Sequence, residues 1–153
     1  MMPKWHLLFG FILSYVLIYF FNLSVIYGAI IFLSSIFIDL DHVLVYFLET
    51  KNLHPKKFWE YSMEKKRKWE NLDQLEMDRA QRPHNILHGV EFALFLLILS
   101  FFTKIFLFIL FGILFHLLCD LVYLIYQKEH VSFKLSQVWL WQRNKKRKKF
   151  DVE

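Results

Sequence analysis

The sequence has little of what a disulfide-stapled or a multi-domain protein requires. Its single cysteine, Cys119, cannot form an intramolecular disulfide, which excludes a stapled extracellular module and a zinc ribbon. Only four glycines and three prolines occur among 153 residues, and no flexible linker or low-complexity tract is present. Charged residues amount to 22%, and nearly all of them lie outside long apolar runs. One apolar domain is the consequence, and disorder is excluded.

Long apolar runs dominate the sequence, which is 56% hydrophobic and 20% aromatic. Residues 5–38 contain no Asp, Glu, Lys or Arg, and at about 1.5 Å per helical residue they exceed one bilayer core of about 30 Å. A polar interruption at residues 22–24 divides this run, and two further apolar runs follow later in the chain. The sequence therefore predicts an all-α, integral membrane four-helix bundle. Its spans are residues 5–21, 25–48, 84–102 and 105–126.

The distribution of lysine and arginine predicts the orientation. Nine of these residues lie in the segment 49–83 and eight lie after the fourth span, whereas the two short turns contain only Lys104. Positive residues stay on the cytoplasmic side of a membrane, so both termini and the segment 49–83 are predicted to be cytoplasmic. That segment is rich in helix formers and is predicted to be a helical insertion within a single membrane domain. Residues 127–153 form a basic tail.

Ionisable side chains occur inside the predicted spans, where each acid costs about 2.5 to 3.5 kcal/mol on insertion scales. Four acids would cost on the order of 10 kcal/mol without compensation. All of these side chains lie in the cytoplasmic half of the membrane, and all four helices contribute. Polar residues that only stabilise packing would be expected at many different depths in the membrane rather than in one half of it. They are His6, Asp39, Asp41, His42, His84, His88, Glu91, His116 and Asp120.

The residue types and spacings predict a metal site. His84 and His88, like His116 and Asp120, are four residues apart and would share one helical face. Imidazole and carboxylate ligands without thiolate suit zinc, manganese or iron, with zinc preferred, and there are enough ligands for one or two ions. The predicted ligands are His6, Asp39, His42, His84, His88, His116 and Asp120. Asp41 or Glu91 is the candidate general base of a metal-dependent hydrolase.

Other interpretations remain open at this point. Individual histidines inside a helix bundle often form hydrogen bonds between helices, and the whole set could instead serve a proton or cation path, a haem or a non-catalytic metal. Glu91 could be a ligand or could orient His88, and Asp41, which would point away from Asp39 on a helix, could support a ligand or serve a different metal. The basic clusters 65–68 and 145–149 predict contact with anionic lipid headgroups. Nucleic-acid binding is disfavoured because no stacking platform or reading motif accompanies them.

The order of these motifs over about residues 5–125 resembles the YdjM-like, or LexA-binding, family of inner-membrane metal-dependent hydrolases. The matching elements are His6, the Asp39-Leu40-Asp41-His42 run, the pair His84 and His88, and His116-x-x-x-Asp120. The third element usually reads H-R-G-x-T-H in that family and is one residue shorter here. The proline that commonly precedes the second element is absent. The resemblance implies a metal site in the inner membrane, and the family's fainter similarity to zinc-dependent phospholipase C implies phosphoester hydrolysis. The predicted depth of the site near the headgroups favours a lipid or lipid-linked substrate.

Overall fold

The computed structural model describes residues 3–82, 84–127, 135–145 and 147. The helices are α1 (Pro3–Phe21), α2 (Val25–Phe37), α3 (Leu40–Thr50), α4 (Pro55–Glu70), α5 (Gln74–Arg79), α6 (Val90–Ser100), α7 (Lys104–Tyr126) and α8 (Gln137–Asn144). A 3-10 turn, Ile86–His88, precedes α6. Within these described ranges there is no β-strand, so the all-α prediction is confirmed.

Three helical stretches among the described residues are long and apolar enough to cross a membrane. They are Lys4–Phe21, Val25–Thr50 and Lys104–Tyr126, and they correspond to the first, second and fourth predicted spans. The third predicted span, 84–102, contains the 11-residue helix α6, which is about 16 Å long, or about half of a bilayer core. Before α6, residues 84–89 are extended backbone around the 3-10 turn, and after it residues 101–102 begin the turn to α7. A count of four full spans stays a prediction.

Helix α7 lies at the centre of the packing. It contacts α2, α6 and α1, and α1 also packs against α2. The buried apolar core between α6, α7 and the end of α2 includes Ile38, Leu96 and Ile113. At Gly112 an added Cβ would overlap the carbonyl oxygen of Ile31, so this glycine lets the backbones of α7 and α2 approach closely. That approach brings the polar side chains of the two helices together.

Large apolar side chains cover the outer faces of the long helices. Phe20 is 67% exposed and Leu118 is 56% exposed, and many neighbours on α1, α6 and α7 are exposed to a similar extent. Water-soluble monomers rarely present a continuous apolar surface of this size. An apolar coat around a polar interior is the arrangement expected of helices that face lipid.

The predicted insertion, residues 49–83, contains the two helices α4 and α5, separated by the non-helical residues 71–73. Helix α4 begins with a proline in its first turn, and α5 begins with a capping box formed by Asp73 and Glu76. Helix α4 contacts α3 through the ring of Tyr61, which lies 5.1 Å from the ring of Tyr46. The Tyr61 hydroxyl also donates a hydrogen bond to the Glu49 carboxylate. The insertion is therefore attached to the end of α3.

The described part of the basic tail folds back onto the bundle as α8. The carboxylate of Glu91 accepts hydrogen bonds from the Ser136 hydroxyl and from the backbone N–H groups of Gln137 and Val138 at the start of α8. At the other end of α8, the Asn144 amide donates to the carbonyl of Arg82. Of the basic cluster 145–149, Lys146, Lys148 and Lys149 lie outside the described residues.

Candidate metal centre

Two breaks in helical backbone build the site. Between α2 and α3, Asp39 N–H donates to the carbonyl of Ile36 and His42 N–H to the carbonyl of Asp39, so the helix tightens locally to i−3 hydrogen bonds. Before α6, Asn85 and Gly89 adopt extended backbone on either side of the 3-10 turn. Non-helical backbone at membrane depth is tolerated where it is buried in protein or lines a polar site. The two breaks meet beside the continuous helix α7.

Four side-chain atoms from three parts of the chain form the core of the cluster. Nε2 of His88 and Nε2 of His116 each lie 3.5 Å from Oδ1 of Asp39. Oδ2 of Asp120 lies 3.5 Å from the His116 nitrogen and 3.9 Å from the His88 nitrogen. A tetrahedral ion with bonds of about 2.1 Å separates its ligand atoms by about 3.4 Å. These separations are close to that value, and His88, His116 and Asp120 form one group whose ligand atoms all lie within 4.8 Å of one another.

Two more histidines extend the cluster on opposite sides. The His6 Nε2 lies 3.3 Å from Oδ1 of Asp120, and its ring stacks on that of His116 at a centroid distance of 3.8 Å. The His42 Nε2 lies 3.7 Å from Oδ1 of Asp39. Within the described chain, the residues form three overlapping groups whose ligand atoms lie within 4.8 Å of one another. The prediction that buried His and Asp side chains form a group able to hold a metal is confirmed.

Burial and hydrogen bonding provide a test of whether a metal fits. His88 and His116 are 0% and 1% exposed, and Asp120 is 2% exposed. Among the described residues, the Nε2 atoms of the two histidines make no hydrogen bond of ordinary length, and carboxylate oxygens lie 3.5 Å from them. A buried polar atom without a partner costs about 1 to 3 kcal/mol, and a metal ion supplies that partner. The imidazole and carboxylate donors therefore fit a divalent ion of the zinc, manganese or iron type.

The opposite nitrogens of the same two rings are held by acceptors. The His116 Nδ1 lies 2.7 Å from the carbonyl oxygen of Ser35, which can only accept, so Nδ1 carries the proton. In the neutral ring, the Nε2 lone pair then points toward the two carboxylates. His88 Nδ1 lies 3.1 Å from Oδ2 of Asp41. Metal-ligating histidines commonly use this pattern, in which an acceptor fixes the tautomer and the ring orientation.

Asp41 does not occupy the position expected of a general base. It is 4% exposed, and its Oδ2 accepts from the Leu87 backbone N–H at 3.0 Å while also bonding to His88. These contacts make Asp41 a positioning residue for His88. The spacing left its role open because Asp41 follows the break after α2, and the direction of its side chain depends on the angle of that break.

His84 and Glu91 are not brought into the cluster. His84 was predicted to share a helical face with His88, but Asn85 between them is extended, so the spacing of four residues has no helical meaning here. The His84 Nε2 instead lies 3.1 Å from the Asn144 amide nitrogen. Glu91 was predicted to be a base, a ligand or a partner of His88, and its carboxylate instead caps α8. Both residues connect the bundle to α8.

The carbonyl of Ser35 is a functional group that sequence reasoning missed. No side-chain type signals it, because every residue carries a carbonyl. A helix kink frees carbonyl groups in the preceding turn, but the sequence predicted one continuous span over residues 25–48, so the kink near Asp39 was not foreseen. An added Cβ at Gly10 would meet the Ser35 hydroxyl, so the same turn of α2 is also where α1 comes close.

Fold and site together define an all-helical protein with long apolar helices around a His/Asp cluster that could bind metal. The chain matches none of the family models, curated proteins or solved structures with which it was compared. The chemistry of the centre is therefore inferred from its own side chains.

Proposed function

We propose that this protein is an integral membrane metal-dependent hydrolase with its centre in the cytoplasmic half of the inner membrane. One observation carries this proposal. Two buried imidazole nitrogens lie 3.5 Å from carboxylate oxygens of Asp39 and Asp120, in overlapping groups of three ligands that could hold a metal ion, inside a bundle whose outer surface is apolar. Insertion of these acids into a membrane is costly, and an ion held between them offsets that cost.

The position of the charges supports the membrane part of the proposal. Only one lysine, Lys104 at the start of α7, lies at the end of the bundle where α6 turns into α7, whereas α4 carries six basic residues beside the end of α3. A cytoplasmic location for α4, with both termini on the same side, agrees with the positive-inside rule. In this orientation the cluster lies close to the headgroup layer, which suits a substrate that is a phosphoester or is linked to a lipid.

The open side of the cluster is where a substrate would approach. The side chains of His42 and Asp39 are 40% and 23% exposed, whereas those of His6, His88, His116 and Asp120 are nearly completely buried. A divalent ion supplies Lewis-acid polarisation and a lowered pKa of bound water. The four buried residues hold the site in shape. His42, on the open side, is placed to take a proton from an attacking water.

Two measurements on the detergent-purified protein test the proposal. Elemental analysis should find one or two zinc, manganese or iron ions per chain. The metal-loaded protein should hydrolyse bis-p-nitrophenyl phosphate or a short-chain phospholipid. Asp120→Asn should lower metal content and abolish turnover, and Asp73→Asn, the same chemical change at the cap of α5, should change neither. Metal without turnover would favour the non-catalytic alternative, a Soret band would indicate haem, and absence of both properties would refute the proposal.

A further inference from the structure

The backbone on either side of the proposed metal ligand His88 is not part of a regular helix. Asn85 and Gly89 are extended on the two sides of the 3-10 turn, and the His88 N–H donates to the Asn85 carbonyl oxygen at 2.9 Å. On one side of this turn, the Asp41 carboxylate contacts the Leu87 N–H and the His88 ring. A turn with so few hydrogen bonds of its own depends for its position on what packs against its other side.

The first turn of α8 packs against that other side. Oε1 of Gln137, the first residue of α8, accepts a hydrogen bond from the Asn85 backbone N–H at 3.1 Å. A Cβ added at Gly89 would lie 2.8 Å from Cγ and 3.3 Å from the backbone nitrogen of Gln137. Helix α8 therefore touches the chain directly at the residue that follows His88. Gln137 lies against both ends of the turn.

Both ends of α8 are fastened to the chain around this turn. At its start, the Ser136 hydroxyl donates to the Glu91 carboxylate. At its last turn, the Asn144 amide nitrogen donates to the Arg82 carbonyl oxygen at 2.7 Å, and the Asn144 Oδ1 accepts from the Arg82 N–H at 3.2 Å. The same helix thus holds the chain before and after the turn.

We propose that α8 is a strap that positions His88 for metal binding, with Gln137 as the positioning residue. Gln137 acts through the backbone on either side of His88 and is not itself a ligand. It lies 52 positions after Asn85, so the metal affinity of the bundle depends on a helix from a distant part of the chain. The effect on metal rests on the proposed function, whereas the attachment of the turn to α8 does not.

Two glutamines on α8 provide a matched test in the full-length protein. Gln137→Ala removes the acceptor of the Asn85 N–H, whereas Gln142→Ala removes an exposed side chain of the same helix. Alanine is a good helix former, so neither change weakens α8 itself. Chelator competition should give a zinc dissociation constant about tenfold higher in Gln137→Ala, because outer partners of metal ligands contribute about 10- to 100-fold. Gln142→Ala should match the wild type, and a wild-type constant in Gln137→Ala would overturn the proposal.

Ser136 supplies a second pair of variants, which separates positioning from a general loss of stability. Its hydroxyl donates to Glu91 and accepts from the Trp139 N–H as the cap of α8. Ser136→Ala removes both hydrogen bonds, and Ser136→Thr keeps a hydroxyl group for both. Zinc binding should weaken in Ser136→Ala and return to near the wild-type affinity in Ser136→Thr. A lowered unfolding temperature with wild-type zinc affinity in Ser136→Ala, or equal weakening in the two variants, would overturn the proposal.

Hydrogen exchange of the chelator-treated protein distinguishes failure of the strap from failure of the proposed function. Backbone N–H groups of residues 85–88 should exchange about tenfold faster in Gln137→Ala than in the wild type, and at the wild-type rate in Gln142→Ala. If the protein binds no metal but shows this difference, the proposed function fails and the attachment of the turn to α8 stands. If metal and turnover are present while neither exchange nor affinity differs in Gln137→Ala, the strap fails and the proposed function stands.

Discussion

Replacing Asp120 with asparagine removes the carboxylate that three histidines share. Its oxygens lie 3.3 Å from His6, 3.5 Å from His116 and 3.9 Å from His88. Asparagine has the same size, so the packing of α7 is preserved, and only the charge and ligand strength change. Metal affinity is therefore the property that should respond most strongly.

The expected size of the effect follows from the number of ligands. Zinc sites with four protein ligands bind with about 10 to 16 kcal/mol, which corresponds to about 3 kcal/mol for each ligand. Loss of one ligand, and with it about 3 kcal/mol of binding free energy, raises the dissociation constant about a hundredfold. At a metal concentration a hundredfold above the wild-type dissociation constant, the ion stabilises the folded protein by about 2.7 kcal/mol. Most of this stabilisation should disappear in Asp120→Asn.

The assay compares thermal unfolding in detergent, with and without a chelator, for the wild type, Asp120→Asn and the control Asp73→Asn. Chelation should lower the unfolding temperature of the wild type and of the control and leave that of Asp120→Asn nearly unchanged. Asparagine caps a helix as well as aspartate does, so the control should fold normally. An Asp120→Asn protein that keeps full metal content and the wild-type response to the chelator would refute the ligand assignment and favour an ion path.

Four further outcomes are expected. Asp41→Asn should lower metal affinity about 10- to 100-fold in chelator competition, because Asp41 orients a ligand, and unchanged affinity would contradict that role. His84→Ala should retain wild-type metal content by elemental analysis because its ring faces α8; loss of metal would return it to the ligand set. Burial and the nearby Glu49 carboxylate raise the pKa of Tyr61 above its ordinary value. The contribution of Tyr61 to stability is therefore complete below about pH 10 and is lost at higher pH. Tyr61→Phe should accordingly reduce the decline of the unfolding temperature at alkaline pH. The last outcome concerns topology and uses protein in which the native cysteine is replaced by serine. Lys66→Cys should be labelled only from the cytoplasm, and Leu23→Cys only from the opposite side. Labelling of both positions from one side would contradict the topology.

The sequence alone was sufficient for the helical content and for the position of the polar cluster along the chain. Long runs without charge can only be helices or closed barrels in a membrane, and the runs are too long and too uninterrupted for the alternating pattern of barrel strands. The ionisable residues stand out because each is costly in an apolar run. Of the seven ligands predicted on this basis, six lie together in the folded chain.

Only the tertiary structure decided which of these residues face one another. Periodicity applies within one continuous helix, and it succeeds for His116 and Asp120 on α7. It fails for His84 and His88, because the backbone between them is extended, and it leaves Asp41 undetermined beyond the break that follows α2. The angle at a break is set by packing against other helices. The Ser35 carbonyl contacts His116, which lies 81 positions later in the chain. Glu91 caps α8 through Ser136, which lies 45 positions later. A local sequence pattern does not encode contacts over such separations.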